Sequence, residues 1–120
     1  MDTLLKDDDL FYYLQSKKIY LVSSSLLKIN IFQEEDCLFI ELHFKINPSG
    51  KLLKIKFIDI IEYSFYYKNN FYFYNVAYCK FFKKGNTVYI SLDPFDEEET
   101  IHKNDQDFIL CKNVVGEYVI

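Results

Sequence analysis

The stretch Leu38-Phe-Ile-Glu-Leu-His-Phe-Lys-Ile46, continued by Asn-Pro-Ser-Gly50 and Lys-Leu-Leu-Lys-Ile-Lys-Phe57, decides the fold. Apolar side chains alternate with polar ones on both sides of a four-residue turn sequence, which is the pattern of two half-buried strands joined in an antiparallel hairpin. Proline at the second turn position and glycine at the fourth predict a type I turn. A shift of one residue would put charged side chains into the apolar face, so the pattern also predicts the register.

Centring this turn on residues 48–49 places Leu42 opposite Ile55 and Ile40 opposite Phe57. An acidic turn at residues 33–36 comes before it, and centring that turn on residues 34–35 predicts that Ile29 faces Ile40. Both hairpins then keep their apolar side chains on the same side of the sheet, as a single buried face requires.

Two further turn sequences predict that the sheet continues as a meander. Lys-Asn-Asn at residues 68–70 follows a long third strand, and a turn there would place Ile61 opposite Ala77. Gly85-Asn86 is typical of a two-residue hairpin turn between the fourth and fifth strands.

The chain is therefore expected to be mainly β, as a curved antiparallel meander of five to seven strands that closes as a sandwich or open barrel. A last strand at about residues 108–119 would complete the sheet. A short N-terminal helix could begin after three aspartates at residues 7–9, with Leu10, Phe11 and Leu14 on one face. At 120 residues we expect one domain, 1–120.

Charge and composition narrow the classes of partner. The formal net charge is −4, and the chain has 14 lysines and no arginine. Nucleic acids and anionic membranes both reward clustered positive charge, so we expect neither as a partner. Cys37, Cys79 and Cys111 lack the spacing of a metal site, and there is no secretory signal pattern. We therefore expect reduced thiols in the cytoplasm, with no metal and no cofactor.

Residues 93–107, called here the acidic loop, form the most conspicuous segment. Seven of these fifteen residues are Asp or Glu, and only Lys103 opposes them. The loop could be a solvated mobile connection, a calcium site without the spacing of an EF-hand, or a docking surface for a basic partner. The docking interpretation assigns partner binding to its carboxylates: Asp93, Asp96, Glu97, Glu98, Glu99, Asp105 and Asp107.

The second candidate surface is the other face of the third to fifth strands. Its aromatic residues are Tyr66, Tyr72, Tyr74, Tyr78, Phe82 and Tyr89. This face could be the second layer of a sandwich, or a surface covered by the N-terminal segment. It could also be a recognition surface, because tyrosine is enriched at interaction hot spots. Under the last interpretation Tyr78 and Tyr89 join the predicted partner-binding residues.

Several segments carry a resemblance to a known group of proteins. They are Leu53-Lys-Ile-Lys-Phe57, Tyr63-Ser-Phe65, Tyr78-Cys-Lys-Phe-Phe82, Tyr89-Ile-Ser-Leu-Asp-Pro-Phe-Asp96 and Asp105-Gln-Asp-Phe-Ile109. Over about residues 50–120 the chain resembles small bacterial proteins, some of which are immunity proteins of polymorphic or contact-dependent toxin systems. The resemblance implies a cytoplasmic protein that binds and blocks one cognate toxin. It carries over no functional residues, because such proteins differ in where they dock.

The leading hypothesis is thus a non-enzymatic inhibitor of a bacterial toxin, with the acidic loop replacing nucleic-acid phosphates in the active site of a basic nuclease. The alternative is a small-ligand-binding β module, because a curved aromatic-lined sheet can hold an apolar ligand. An enzyme is not expected, since no nucleophile, base or phosphate-binding loop shares a site in the sequence. The sequence predicts no oligomeric state.

Overall fold

The computed structural model describes residues 3–67 and 75–119. Its elements, in chain order, are β1 (Thr3–Lys6), α1 (Asp8–Ser16), β2 (Ser25–Glu34), β3 (Cys37–Ile46), β4 (Lys51–Ser64), β5 (Lys80–Lys84), β6 (Thr87–Asp93) and β7 (Gln106–Val119). Within these residues, the seven strands form one antiparallel sheet, with a single short helix near the N-terminus. The predicted class, a mainly β antiparallel fold with a short helix, is confirmed.

The order of the strands departs from a simple meander. It runs β2-β3-β4-β7-β6-β5, with β1 added beside β7. The predicted pairing of Ile61 with Ala77 is wrong, because β7 occupies that edge of β4 and pairs Tyr63 with Ile109. The predicted turn at residues 68–70 lies outside the described residues. A turn sequence shows where a chain reverses, but it does not show which later strand fills the free edge.

β7 is the central strand. One of its edges pairs with β4 from Phe108 to Val119. The other edge is divided, so that the first part of β7 pairs with β6 and the last part with β1. The edge strands β2 and β5 do not pair with each other within the described residues. An isolated β-bridge joins Ser25 of β2 to Asn75, which precedes β5. The sheet therefore curves without closing.

The register of the first two hairpins shows which turn predictions were correct. Leu42 pairs with Ile55 and Ile40 with Phe57, as predicted. Between β2 and β3 the observed partner of Ile40 is Ile31, two residues from the predicted Ile29. The cause is a turn centred one residue later than predicted, on residues 35–36, both of which have left-handed φ angles of 51° and 66°. A shift of two residues preserves the buried face, because side chains alternate with period two.

The connection between β3 and β4 is not the predicted type I turn. The Asn47–Pro48 peptide bond is cis, and the Gly50 amide donates a hydrogen bond to the Ile46 carbonyl at 2.7 Å. Gly50 has a φ of +75°, which glycine adopts without a steric penalty from a Cβ atom. The hairpin thus uses a four-residue loop with one left-handed position.

The main core lies on one face of the curved sheet, under α1. Leu10 and Leu14 of the helix are buried against it, as the predicted helical face requires. Gly116 lets the helix approach β7, since an added Cβ atom would overlap a methyl carbon of Leu10. Asp7 does not cap the helix with its side chain; its carboxylate accepts a hydrogen bond from the Val114 amide instead. No helix in the described part of the chain is long and apolar enough to span a membrane.

Candidate functional site

The acidic loop folds back over the outer face of β6 and β7. Along β6, Val88 and Ile90 point into the main core. Tyr89 and Ser91 point the opposite way, yet they are only 1% and 0% exposed. The Ser91 hydroxyl donates to the Gln106 carbonyl at 2.6 Å, which ties the strand to the end of the loop. The loop itself therefore supplies the second layer that the aromatic pattern required on this side of the sheet.

Asp105 is the centre of the loop's hydrogen bonding. Its side chain has no solvent exposure. One carboxylate oxygen accepts from the Phe95 amide at 2.8 Å. The other accepts from the His102 amide at 3.0 Å and from the Tyr89 hydroxyl at 2.8 Å. Asp105 thus fixes two distant points of the loop backbone to β6.

Lys80 of β5 supplies the positive charge in this hydrogen-bonded network. Its ammonium donates to the Thr100 carbonyl at 2.8 Å and lies 2.7 Å and 3.1 Å from carboxylate oxygens of Asp96 and Asp105. An ammonium has three donors, and three acceptor groups surround it. We call Lys80, Tyr89, Asp96 and Asp105 the Lys80 cluster. It is fully hydrogen-bonded, as a buried charge must be to avoid a large desolvation penalty.

The pKa shifts agree with an ion pair inside the cluster. Burial lowers the pKa of Lys80, but its hydrogen bonds to Asp96 and Asp105 outweigh burial and leave the pKa raised. Burial raises the pKa of Asp105, but hydrogen bonds from Phe95, His102, Tyr89 and Lys80 outweigh it and leave the pKa lowered. Burial, followed by the hydrogen bond to Asp105, raises the pKa of Tyr89. The hydrogen bond from Lys80 also lowers the pKa of Asp96. At neutral pH the cluster therefore holds one ammonium, two carboxylates and a neutral phenol.

A second buried carboxylate lies two residues farther along the chain. Asp107 is 4% exposed and accepts a hydrogen bond from the Tyr66 amide at 2.8 Å. Burial raises its pKa, and the nearby charge of Asp93 acts in the same direction. Asp107 thereby holds the segment after β4 against the start of β7.

The residues predicted to bind a partner fall into two groups. Asp105, Asp107 and Tyr89 are buried and bonded to the protein, so they are unavailable on the surface and we remove them from the docking surface. The remaining predicted residues are exposed or, for Asp96, half-buried: Asp93, Asp96, Glu97, Glu98, Glu99 and Tyr78. Of the other aromatic positions, Tyr72 and Tyr74 lie outside the described residues.

The sequence did not indicate that Lys80 would be buried in the site. In the sequence it looks like one of many strand lysines, and its phase along β5 places it on the side opposite Phe81. It becomes buried only because the loop covers that side. One feature of the sequence could have indicated it. The acidic loop directly follows a strand whose Tyr89 and Ser91 point away from the main core, and a tyrosine in that position suggests that another segment covers that face.

The alternative chemistries receive no support from the geometry. Across residues 3–67 and 75–119, no three His, Cys, Asp or Glu side chains converge as metal ligands. Burial raises the pKa of both Cys79 and Cys111 to about 12, so these thiols are protonated at neutral pH and are poor nucleophiles. His102 accepts a hydrogen bond from the Asn104 amide and stacks on Phe95 at 4.1 Å between ring centroids, so it has a structural role within the loop.

Comparison of the chain with protein-family models, curated proteins and solved structures gave no match. The resemblance to immunity proteins therefore stays a prediction.

Proposed function

We propose that the protein is a non-enzymatic inhibitor that binds a basic partner protein through the exposed carboxylates of the acidic loop. The observation that carries this proposal is a contrast within one segment. The buried carboxylate of Asp105 forms a salt bridge with Lys80 at 3.1 Å. Glu97, Glu98 and Glu99 are exposed and have no salt bridge among the described residues. Buried hydrogen bonds and a salt bridge therefore hold the loop against the sheet, while three carboxylates, without a salt bridge in the described part of the chain, face solvent.

Such an arrangement suits electrostatic docking. Exposed carboxylates of one sign steer a cationic protein toward the surface and raise its association rate. A loop that is already held in one conformation also loses less conformational entropy on binding than a mobile loop, so the same contacts give a higher affinity. Both effects favour recognition of a folded, basic protein.

The form of inhibition proposed is that of an immunity protein. The acidic loop would occupy the active-site cleft of a cognate bacterial toxin, for example a basic nuclease, in the position of the nucleic-acid phosphates. The support is the net charge of −4, the contiguous carboxylates at residues 97–99 and the resemblance described above. Protection would then require binding alone, with no reaction carried out by this chain.

The test is coexpression with the product of the neighbouring gene, followed by affinity purification and a growth-rescue assay. The triple variant Glu97→Gln, Glu98→Gln, Glu99→Gln should slow association with the co-purified protein and reduce its dependence on salt. A matched control is Glu34→Gln, Glu35→Gln, Asp36→Asn, which removes three exposed charges from the β2–β3 turn. If no neighbouring product binds or is neutralised, or if both triple variants behave alike, the proposal is wrong.

A small-ligand-binding module is the second candidate, and a groove of about 600 Å³ between α1 and β5 favours it. Apolar side chains dominate its lining, as in many ligand sites. Native mass spectrometry of the gently purified protein checks this candidate. A retained mass of a few hundred daltons would support it, and a protein mass without any adduct would count against it.

A further inference from the structure

The α1–β5 groove is an open depression rather than an enclosed cavity. One wall is formed by α1 and the segment at residues 19–22, and the other by β5. Its floor includes Phe11 of the helix and Phe81 of the strand, whose ring centroids are 4.4 Å apart. A direct contact between two aromatic rings therefore joins the two walls.

Apolar side chains line the groove yet remain in contact with water. Tyr20 and Val22 of the wall are 64% and 46% exposed. Ile19, Cys79 and Phe81 are each partly buried in the same lining. A contiguous apolar surface of this kind marks an interaction site more often than do single exposed apolar residues.

The charges on the rim indicate what kind of partner fits. Among the described residues, three charged side chains border the groove: Asp8, Lys83 and Glu99. Lys83 lies 3.4 Å from the Asp8 carboxylate, so these two charges compensate each other. Glu99 has no ion pair within the part of the chain that the structure describes, and it continues into the exposed carboxylates of the acidic loop. The uncompensated charge at the groove is therefore negative.

We propose that the groove binds an amphipathic basic segment of the partner protein, with apolar side chains in the groove and Lys or Arg side chains against Glu99. This inference rests on the proposed function and specifies how the partner docks. An open groove suits an apolar helix face, which presents anchors at positions i, i+3 or i+4, and i+7. A small molecule would instead be expected to have most of its surface enclosed. Glu99 belongs both to the acidic loop and to the lining of the groove. The loop and the groove would therefore form one continuous interface.

The probe is a synthetic helical peptide of about 18 residues, or five turns, with Leu on one face and Lys on the other. Its binding to the full chain is measured by fluorescence anisotropy. Two control peptides have the same length: a scrambled peptide without an apolar face, and a peptide with Glu in place of Lys. We expect both controls to bind at least about tenfold more weakly, because one loses the apolar anchors and the other meets Glu99 with like charge.

Paired variants of the protein locate the peptide. Tyr20→Ser should weaken binding by about fivefold or more, since exposed aromatic anchors dominate such contacts. Tyr12→Ser is the matched control, because Tyr12 is 74% exposed on α1 but does not line the groove. Glu99→Lys should weaken binding more than Glu98→Lys, which lies beside it outside the lining. Val22→Ser, which removes an apolar side chain of the wall without adding charge, provides a second test if Tyr20→Ser changes the circular dichroism spectrum.

Equal effects of the Tyr20 and Tyr12 variants, or equal binding of the scrambled peptide, would overturn the inference. So would a co-purified small apolar molecule together with no peptide binding, which would assign the groove to a small ligand. The inference can also fail on its own. If the charge variants at residues 97–99 slow association with the coexpressed partner while Tyr20→Ser changes nothing, the proposed function stands and the groove is not part of the interface.

Discussion

The two faces of β6 are buried for different reasons. On the inner face, Val88 and Ile90 contact other apolar side chains of the sheet and have no exposure. On the outer face, Tyr89 and Ser91 are equally buried, but each donates a hydrogen bond to the acidic loop or its end. The inner face is stabilised by removal of apolar area from water. The outer face also depends on each polar group having its partner.

This difference means that the two faces should respond differently to substitution. A core of apolar side chains loses stability in proportion to the volume removed. A buried polar cluster loses stability when one member is removed, because the remaining members keep their desolvation penalty without compensation. The acidic loop is attached to the sheet through the second kind of face, so its conformation depends on a few atoms.

The largest effect is expected for Lys80→Met. The substitution keeps the side-chain length but leaves the buried carboxylate of Asp105 without its counter-charge, so the free energy of unfolding should fall by roughly 3–5 kcal/mol. The control is Lys84→Met at the exposed end of the same strand, where we expect a change within about 0.5 kcal/mol. Urea denaturation at pH 7 measures both. Similar values for the two variants would mean that the Lys80 cluster contributes little to stability.

A smaller pair of substitutions compares the two faces directly. Tyr89→Phe removes one hydrogen bond to a charged acceptor and should cost about 1.5 kcal/mol. Ile90→Val removes one methyl group from the core and should cost about 1 kcal/mol. The two differ in their pH dependence: the cost of Tyr89→Phe should decrease in acid, as Asp105 becomes protonated, whereas the cost of Ile90→Val should not. Parallel pH profiles for both variants would contradict the assignment of Tyr89 to the Lys80 cluster.

The last comparison concerns the pH dependence of stability and uses the two buried aspartates, whose pKa shifts are opposite. The folded pKa of Asp105 is lowered below the unfolded value of about 3.9, so its contribution to stability is present above that pH and is lost as the pH falls through the folded pKa. The folded pKa of Asp107 is raised, so its ionisation opposes folding at neutral pH and that cost disappears as the pH falls.

Two variants check these signs by urea denaturation between pH 7 and pH 2. Asp105→Asn should lower stability at pH 7 and flatten its decline in acid. Asp107→Asn retains an oxygen that can accept from the Tyr66 amide, and it should leave stability at pH 7 equal or higher. A loss of stability at pH 7 as large for Asp107→Asn as for Asp105→Asn would show that the two carboxylates have the same role.

The pairing of β3 with β4 and the short helix followed from the sequence, whereas the turn type of that hairpin and the register of β2 did not. The alternation of residues 38–57 excluded a slip of one residue between β3 and β4, and the position of the turn sequence at residues 47–50 selected the observed register. The position of β7 could not be predicted in the same way. Its apolar face fits any free edge of the sheet, and the choice of the edge between β4 and β6 depends on contacts between residues far apart in the sequence.

The candidate site was predicted in its location but only partly in its organisation. The acidic composition identified residues 93–107, and an exposed subset of the carboxylates remains a docking candidate. Composition could not separate Glu97, which faces solvent, from Asp105, which is buried, since both are acidic residues of one loop. What distinguishes them is Lys80, whose burial arises only when the loop covers β5 and β6.

The central claim is that the Lys80 cluster holds the acidic loop in a fixed conformation. Amide hydrogen exchange at Phe95 and His102 tests it most directly, because both amides donate to the Asp105 carboxylate. We predict slow exchange at both amides in the wild-type protein and much faster exchange in Lys80→Met, while the Ile109 amide of β7 stays protected under the same conditions. Unprotected loop amides in the wild-type protein, or identical exchange in the variant, would contradict the claim.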